Sequence, residues 1–140
     1  MDQRVREVMT PDPAVIGPGA SVVDAARIMR DKAIGDVMVV ENSRLCGILT
    51  DRDIVVRALA ADADLVRTKV GDICSRELET VAPTTSVAQA EHIMRDKAIR
   101  RLPVVEEDGR VIGIVSLGDL AVGRDRRSAL GDISAAPPNV

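Results

Sequence analysis

The chain has 140 residues, with 22 acidic and 19 basic side chains and a net charge of −3. That mild negative charge excludes the basic field that gathers nucleic acid or anionic lipid, and the absence of Phe, Tyr and Trp excludes binding by base stacking on aromatic rings. No apolar run approaches the ~20 residues that span a bilayer. The opening MDQRVREVMTPDP has no basic region followed by an apolar one, so it does not read as a secretory signal. The expected compartment is the cytoplasm, where Cys46 and Cys74 stay reduced.

A first short strand is predicted near Val15-Ile16. Ser21 then offers an N-cap, with Asp24 three residues on in the manner of a capping box. Val22, Ala25, Ala26 and Met29 follow at helical spacing. Val37–Val40 (VMVV) reads as a strand and Leu45–Leu49 (LCGIL) as another, and a second helix is predicted to start near Asp51. After the linking stretch Ala61–Thr68 the order returns. A short strand near Thr80-Val81 is followed by the N-cap Ser86 with Gln89, then by helical spacing at Val87, Ala90, Ile93 and Met94. Leu102–Val105 (LPVV) and Val111–Val115 (VIGIV) are strands joined across Asp108-Gly109, a strong hairpin signal. A last helix starts near Leu117.

The two halves are copies. IMRDKAI stands at Ile28–Ile34 and again at Ile93–Ile99, 65 positions apart, and the register holds until one extra residue enters the second turn. Gly47 then matches Gly113, and Asp53 matches Asp119. A repeat of this length is a supersecondary unit that completes its core with its neighbour. The expected division is repeat 1 at residues 1–60, a linker at 61–69, repeat 2 at 70–123 and a C-terminal tail at 124–140. Within the tail, LGDIS echoes VGDIC at Val70–Cys74, which predicts a short helical turn docking on the body before a Pro-rich end.

The segments MVVENSRLCGILTDRDI and LPVVEEDGRVIGIVSLGDL resemble those of a tandem CBS-domain pair, or Bateman module, and the likeness covers nearly the whole chain. The fold class it implies is α+β: two CBS repeats, each β-α-β-β-α, packed sheet to sheet about a pseudo-twofold axis. It further implies a standalone regulatory protein that senses an adenine nucleotide (AMP, ADP, ATP or a relative), has no catalytic activity and requires no cofactor.

The residues that could bind such a ligand are Thr50 and Asp53 in repeat 1, and Ser116 and Asp119 in repeat 2. Each pair places a hydroxyl at a strand end and a carboxylate three residues later. At a helix start that arrangement can serve an anion or a ribose diol, and it can equally be a capping box. The CBS resemblance implies the ribose role for the aspartates. It also implies that Arg100 or Arg101 reaches the phosphates. Side chains alternate along a strand, so one of the two is expected to face the ligand. Repeat 1 has Gly35-Asp36 at the matching place, and Asp36 repels phosphate. The site on Ser116 and Asp119 is therefore expected to be the stronger, with Arg52 a partial rescue for the weaker one.

Other candidates carry less. His92 stands beside Glu91 on a solvated helix face, and one His with two distant Cys gives no zinc spacing. No phosphate-binding P-loop is present, and no nucleophile–base pair can be found. Asp51, Asp53, Glu106, Glu107 and Asp108 read as solubilising loop acids rather than a metal site. The expected partners are an adenosine-type small molecule and a second copy of the chain, with neither nucleic acid nor membrane; the downstream protein is not encoded. Apolar residues Ile54, Val55, Leu59, Leu120 and Val122 are expected to form the homodimer contact. The competing reading is a dimeric interaction protein whose clefts stay empty.

Overall fold

Both copies of IMRDKAI close a helix in the same way. In the computed structural model, which describes residues 3–124, α2 (Val22–Lys32) and α5 (Val87–Lys97) each end on an alanine in the left-handed conformation, Ala33 and Ala98, both at φ 54°. The following N–H groups, of Ile34 and Ile99, donate to the carbonyls of Met29 and Met94 at 3.0 Å. This is the backbone closure usually given to glycine, and alanine accepts it at a cost of ~1 kcal/mol. Ser21 and Ser86 cap the two helices, accepting from Val23 N at 3.0 Å and Gln89 N at 3.1 Å. The return bond from Asp24 or Gln89 that would complete a capping box is not among the hydrogen bonds formed, so each serine caps one-sidedly. Val22, Ala25 and Met29 are buried, as are Val87, Ala90 and Met94. Ala26 is exposed, and half-buried Ile28 takes the core-facing role instead.

The remaining described elements are α1 (Val5–Val8), β1 (Thr10–Pro11), β2 (Val15–Ile16), β3 (Asp36–Glu41), β4 (Arg44–Thr50), α3 (Asp51–Asp53) with a π-helical continuation Ile54–Leu59, α4 (Val70–Ile73), β5 (Arg101–Val105), β6 (Val111–Ser116) and α6 (Leu117–Arg124). They form two three-stranded sheets, β2-β3-β4 and β1-β6-β5. The expected strand at Thr80-Val81 is reduced to one parallel bridge, Val81 with Val104. The extra residue of the second copy sits in its turn. Asn42 and Ser43, both at positive φ (52° and 65°), make a two-residue connection between β3 and β4. Between β5 and β6, Gly109 at φ 88° donates to the carbonyl of Glu106 at 2.9 Å and closes a longer loop.

Residues 14–78 form one unit; residues 3–13 fold with 79–124 in the other. The first unit buries Val37, Val39 and Leu49 against α2. The linker is part of it: Ala63 and Leu65 pack on its core, and Lys69 bridges Ser21. The second unit buries Leu102, Val104 and Val115 with Leu120 of α6, and Val5 of α1 joins them at 0% exposure. Its third strand is β1, from the beginning of the chain, with Thr10 opposite Ile114. Leu120 is thus core, at 1% exposure, and is removed from the expected dimer face. Val55 and Leu59 are exposed and Ile54 half-buried, while the side chain of Val122 and the tail segment 130–134 lie outside the described residues.

Candidate functional site

The strand-to-helix corner of each unit is built by the same three bonds. In the unit of residues 14–78, Thr50 ends β4. Its hydroxyl oxygen accepts from Asp53 N at 3.1 Å, and Asp53 Oδ2 accepts from Thr50 N at 2.9 Å. In the other unit Ser116 ends β6, and the corresponding distances to Asp119 are 3.1 and 2.9 Å. Both S/T-x-x-D motifs are therefore reciprocal capping boxes. The next amide is also held alike: Asp51 N donates to Gly35 O at 3.0 Å and Leu117 N to Arg100 O at 2.9 Å.

A carboxylate has about four acceptor positions, so one capping bond leaves room for a diol. The two aspartates differ in what else they meet. Asp53 Oδ1 faces Arg57 Nε at 3.7 Å, an i,i+4 pair with Asp53 only 14% exposed. Arg57 is fixed in turn, because its Nη1 donates to Ile73 O at 3.1 Å. For Asp119 no cation stands in the matching position among the described residues. Arg57 was not singled out from sequence, although its four-residue spacing from Asp53 is a visible signal.

Register decides which basic residue belongs with each corner. Arg101 lies directly opposite Ser116 across the β5–β6 pair, and Asp36 lies directly opposite Thr50 across β3–β4. Residues opposite each other project from the same face of a sheet. Arg101 therefore shares a face with Ser116. Arg100 stands before the strand, is exposed, and contributes its carbonyl to Leu117. Asp51 turns back over Gly35, where an added Cβ would stand 3.2 Å from Asp51 Oδ2. The first corner thus gathers Asp36, Asp51 and Asp53 with Arg57, and the second gathers Asp119 with Arg101.

Elsewhere, Glu106, Glu107, Asp108 and Arg110 border a shallow groove of about 370 Å³ at the opposite end of the β5–β6 hairpin from Ser116. Among the described residues no cluster of three or more His, Cys, Asp or Glu could hold a metal ion, and no helix is long and apolar enough to cross a membrane. Cys46 is half-buried and its thiol donates to Val39 O at 3.3 Å. Burial pushes the Cys74 thiol up from its ordinary value, with nearby Arg76 opposing.

The family model described as "CBS domain" matches twice, at residues 5–59 and 70–122. The CBS domain-containing protein YhcV of Bacillus subtilis is 38% identical over 127 residues, 91% of this chain and 89% of that protein. Among solved structures, CBSX2 in complex with AMP is 28% identical with a TM-score of 0.74, covering 86% of this chain and 94% of that one. The CBS domain pair of protein MJ0100, in complex with 5′-methylthioadenosine and S-adenosyl-L-methionine, is 25% identical with a TM-score of 0.80, covering 91% of this chain and 100% of that one.

Proposed function

The chain belongs to the CBS-domain family, as a tandem pair of CBS repeats, and from that premise we propose that it is a regulatory module that binds an adenine nucleotide at the corner formed by Ser116, Asp119 and Arg101. The observation that carries the reading is the register that sets Arg101 opposite Ser116 while Asp36 stands opposite Thr50. In this reading Asp119 keeps its capping bond and accepts from the ribose diol with its remaining lone pairs. Arg101 attracts the phosphates, with Arg100 beside it as an outer charge. Thr50 and Asp53 form a second, weaker site. There the carboxylate is already drawn toward Arg57, and Asp36 opposes a phosphate electrostatically. The adenosine ligands of CBSX2 and of the MJ0100 domain pair support the choice of ligand class. Catalysis and a required cofactor have no part in this reading, and its setting is the cytoplasm.

Val55, Val56 and Leu59, each close to half exposed or more on one short helical stretch, favour a second reading, that of a homodimer acting through this face with its sites empty. One experiment separates the two. A chain without aromatic residues absorbs very little near 260–280 nm. A 260 nm peak that co-elutes with the purified protein, and whose acid-released material runs as an adenine nucleotide, supports the sensor. No such peak, together with no calorimetric heat from AMP, ADP and ATP up to millimolar concentration, leaves the interaction reading.

A further inference from the structure

The two cysteines of the chain stand in one unit, on the two sides of a single contact. In the β3–β4 pair Val39 lies opposite Gly47 and Val40 opposite Leu45, so Cys46 is the extra, unpaired residue of a bulge. A bulge breaks the alternation of side chains along its strand. Cys46 packs on the core of the unit, and the adjoining Gly47 faces the same way. A Cβ on Gly47 would stand 2.9 Å from Cys74 Sγ and 3.5 Å from Cys74 Cβ. Cys74 is held at that place from both sides. Its N–H donates to Val70 O at 3.0 Å, and Ser75 exchanges two backbone bonds with Ile48, at 2.9 and 3.0 Å.

The other repeat shows what packing alone requires here. Ile112 is the unpaired residue of the matching bulge, between the pairs Val104–Gly113 and Val105–Val111. Met9 covers Gly113 as Cys74 covers Gly47, and both Ile112 and Met9 pack on their core. The contact is filled there without a thiol, whereas the unit of residues 14–78 carries a thiol on each side of it.

We propose that Cys46 and Cys74 are a redox-modification site, a dithiol that hydrogen peroxide converts to an intramolecular disulfide across Gly47. Half-buried Cys46 meets the oxidant, and Cys74, 8% exposed, resolves. The Cys46 thiolate attacks one oxygen of the peroxide, the O–O bond breaks, and a sulfenic acid and one water are left. The Cys74 sulfur gives up its proton and attacks the sulfenic sulfur; the S–S bond forms, the S–O bond breaks and a second water leaves. Two thiols lose two electrons together, and the peroxide is reduced to two waters. Burial, which raises the Cys74 thiol, keeps it protonated and slow toward peroxide until the sulfenic acid stands beside it. A disulfide spans ~3.5–4.5 Å between Cβ atoms, and the bare backbone of Gly47 leaves the sulfurs room to meet. The bond ties the end of α4 to β4. It also anchors the neighbouring Ile73 carbonyl, which holds the Arg57 that faces Asp53.

Titration of the full chain with hydrogen peroxide tests this. The reduced chain carries two thiols, and both are expected to be lost together. Digestion without reductant is expected to join the peptides of Cys46 and Cys74, in a yield independent of protein concentration and reversed by dithiothreitol. Because the bond closes a loop, the urea midpoint of the oxidised chain is expected to rise, and amide exchange across 70–75 to slow by about tenfold or more. Cys46→Ala is expected to abolish both effects, which separates them from oxidation of methionine. Disulfide-linked dimers whose yield grows with protein concentration overturn the proposal. So does Cys46 carried on to sulfinic acid while Cys74 stays a free thiol.

Discussion

The two strand-to-helix corners share a backbone and differ in charge. Thr50–Asp53 and Ser116–Asp119 are capped by equivalent bonds at equal lengths. Across the strand pair one corner faces Asp36 and the other Arg101. A repeat thus preserves what the fold needs, the cap, while the cross-strand position carries an acid in one copy and a base in the other. The proposed inequality of the two sites rests on one cross-strand residue and one helical neighbour, Arg57.

The largest expected effect tests whether the two units are separate cores. Leu49→Ala and Leu102→Ala each empty a fully buried site and are expected to cost ~2–5 kcal/mol, read by urea denaturation. Hydrogen exchange then distinguishes them: residues 4–12 lose protection with Leu102→Ala and keep it with Leu49→Ala, since they pack on the unit of residues 79–124.

The next effect concerns the carboxylates. Asp119→Ala is expected to weaken the first equivalent of AMP, ADP or ATP by about tenfold to a hundredfold. Asp53→Ala is expected to leave that equivalent nearly unchanged. Both remove a cap worth ~1 kcal/mol, so equal losses in melting temperature with unequal losses in calorimetric affinity separate binding from folding. Tight binding that survives Asp119→Ala and vanishes with Asp53→Ala reverses the comparison.

Charge exchange sharpens it further. Arg101→Asp is expected to lower ATP affinity by roughly tenfold and to flatten its salt dependence, and Asp36→Arg to strengthen the second equivalent by a few-fold. Adenosine, which lacks phosphate, is expected to respond to neither.

The smallest expected effects lie away from the corners. Ala33→Gly and Ala98→Gly remove a Cβ from the left-handed region and are each expected to raise stability by ~0.5–1 kcal/mol, seen as higher urea midpoints of similar size in the two units. Cys74 gives a pH effect confined to one unit. Its thiol pKa is raised by burial, so the folded chain keeps a proton that the unfolded chain loses. Stability is full below the ordinary thiol range, near pH 8.5, and falls as pH rises through it toward the folded value. The urea midpoint is expected to drop between pH 7.5 and 9.5, and to drop less in Cys74→Ala.

Helix and strand positions were legible because aliphatic spacing near a period of four gives way in each copy to a short continuous apolar run, VMVV or LPVV, buried at consecutive positions. The capping serines and the hairpins were legible from turn chemistry. Ala26 misled, because a small apolar residue on a helix says little about which face it occupies. Leu120 misled for a related reason: its spacing fits an exposed helical stripe, and only tertiary packing against Val5 and Val115 buries it. At the candidate site the hydroxyls, carboxylates and arginines were all visible. That Arg101 rather than Arg100 lies opposite Ser116 was not, since it depends on strand register, and register is a pairing property that neither strand carries alone. The seating of residues 3–13 with 79–124 was hidden because no local pattern in VREVMT names its partner.

That seating has a consequence for how the protein is made. Thr10 pairs with Ile114, 104 positions later, whereas the unit of residues 14–78 closes entirely on itself. During vectorial synthesis the interior unit can reach its native contacts while the second repeat is still being translated. Residues 3–6 find their partners only at 83–87, and Thr10 has none until β6 has emerged. They wait through much of elongation unpaired, and the unit they complete has the higher contact order and is expected to fold last.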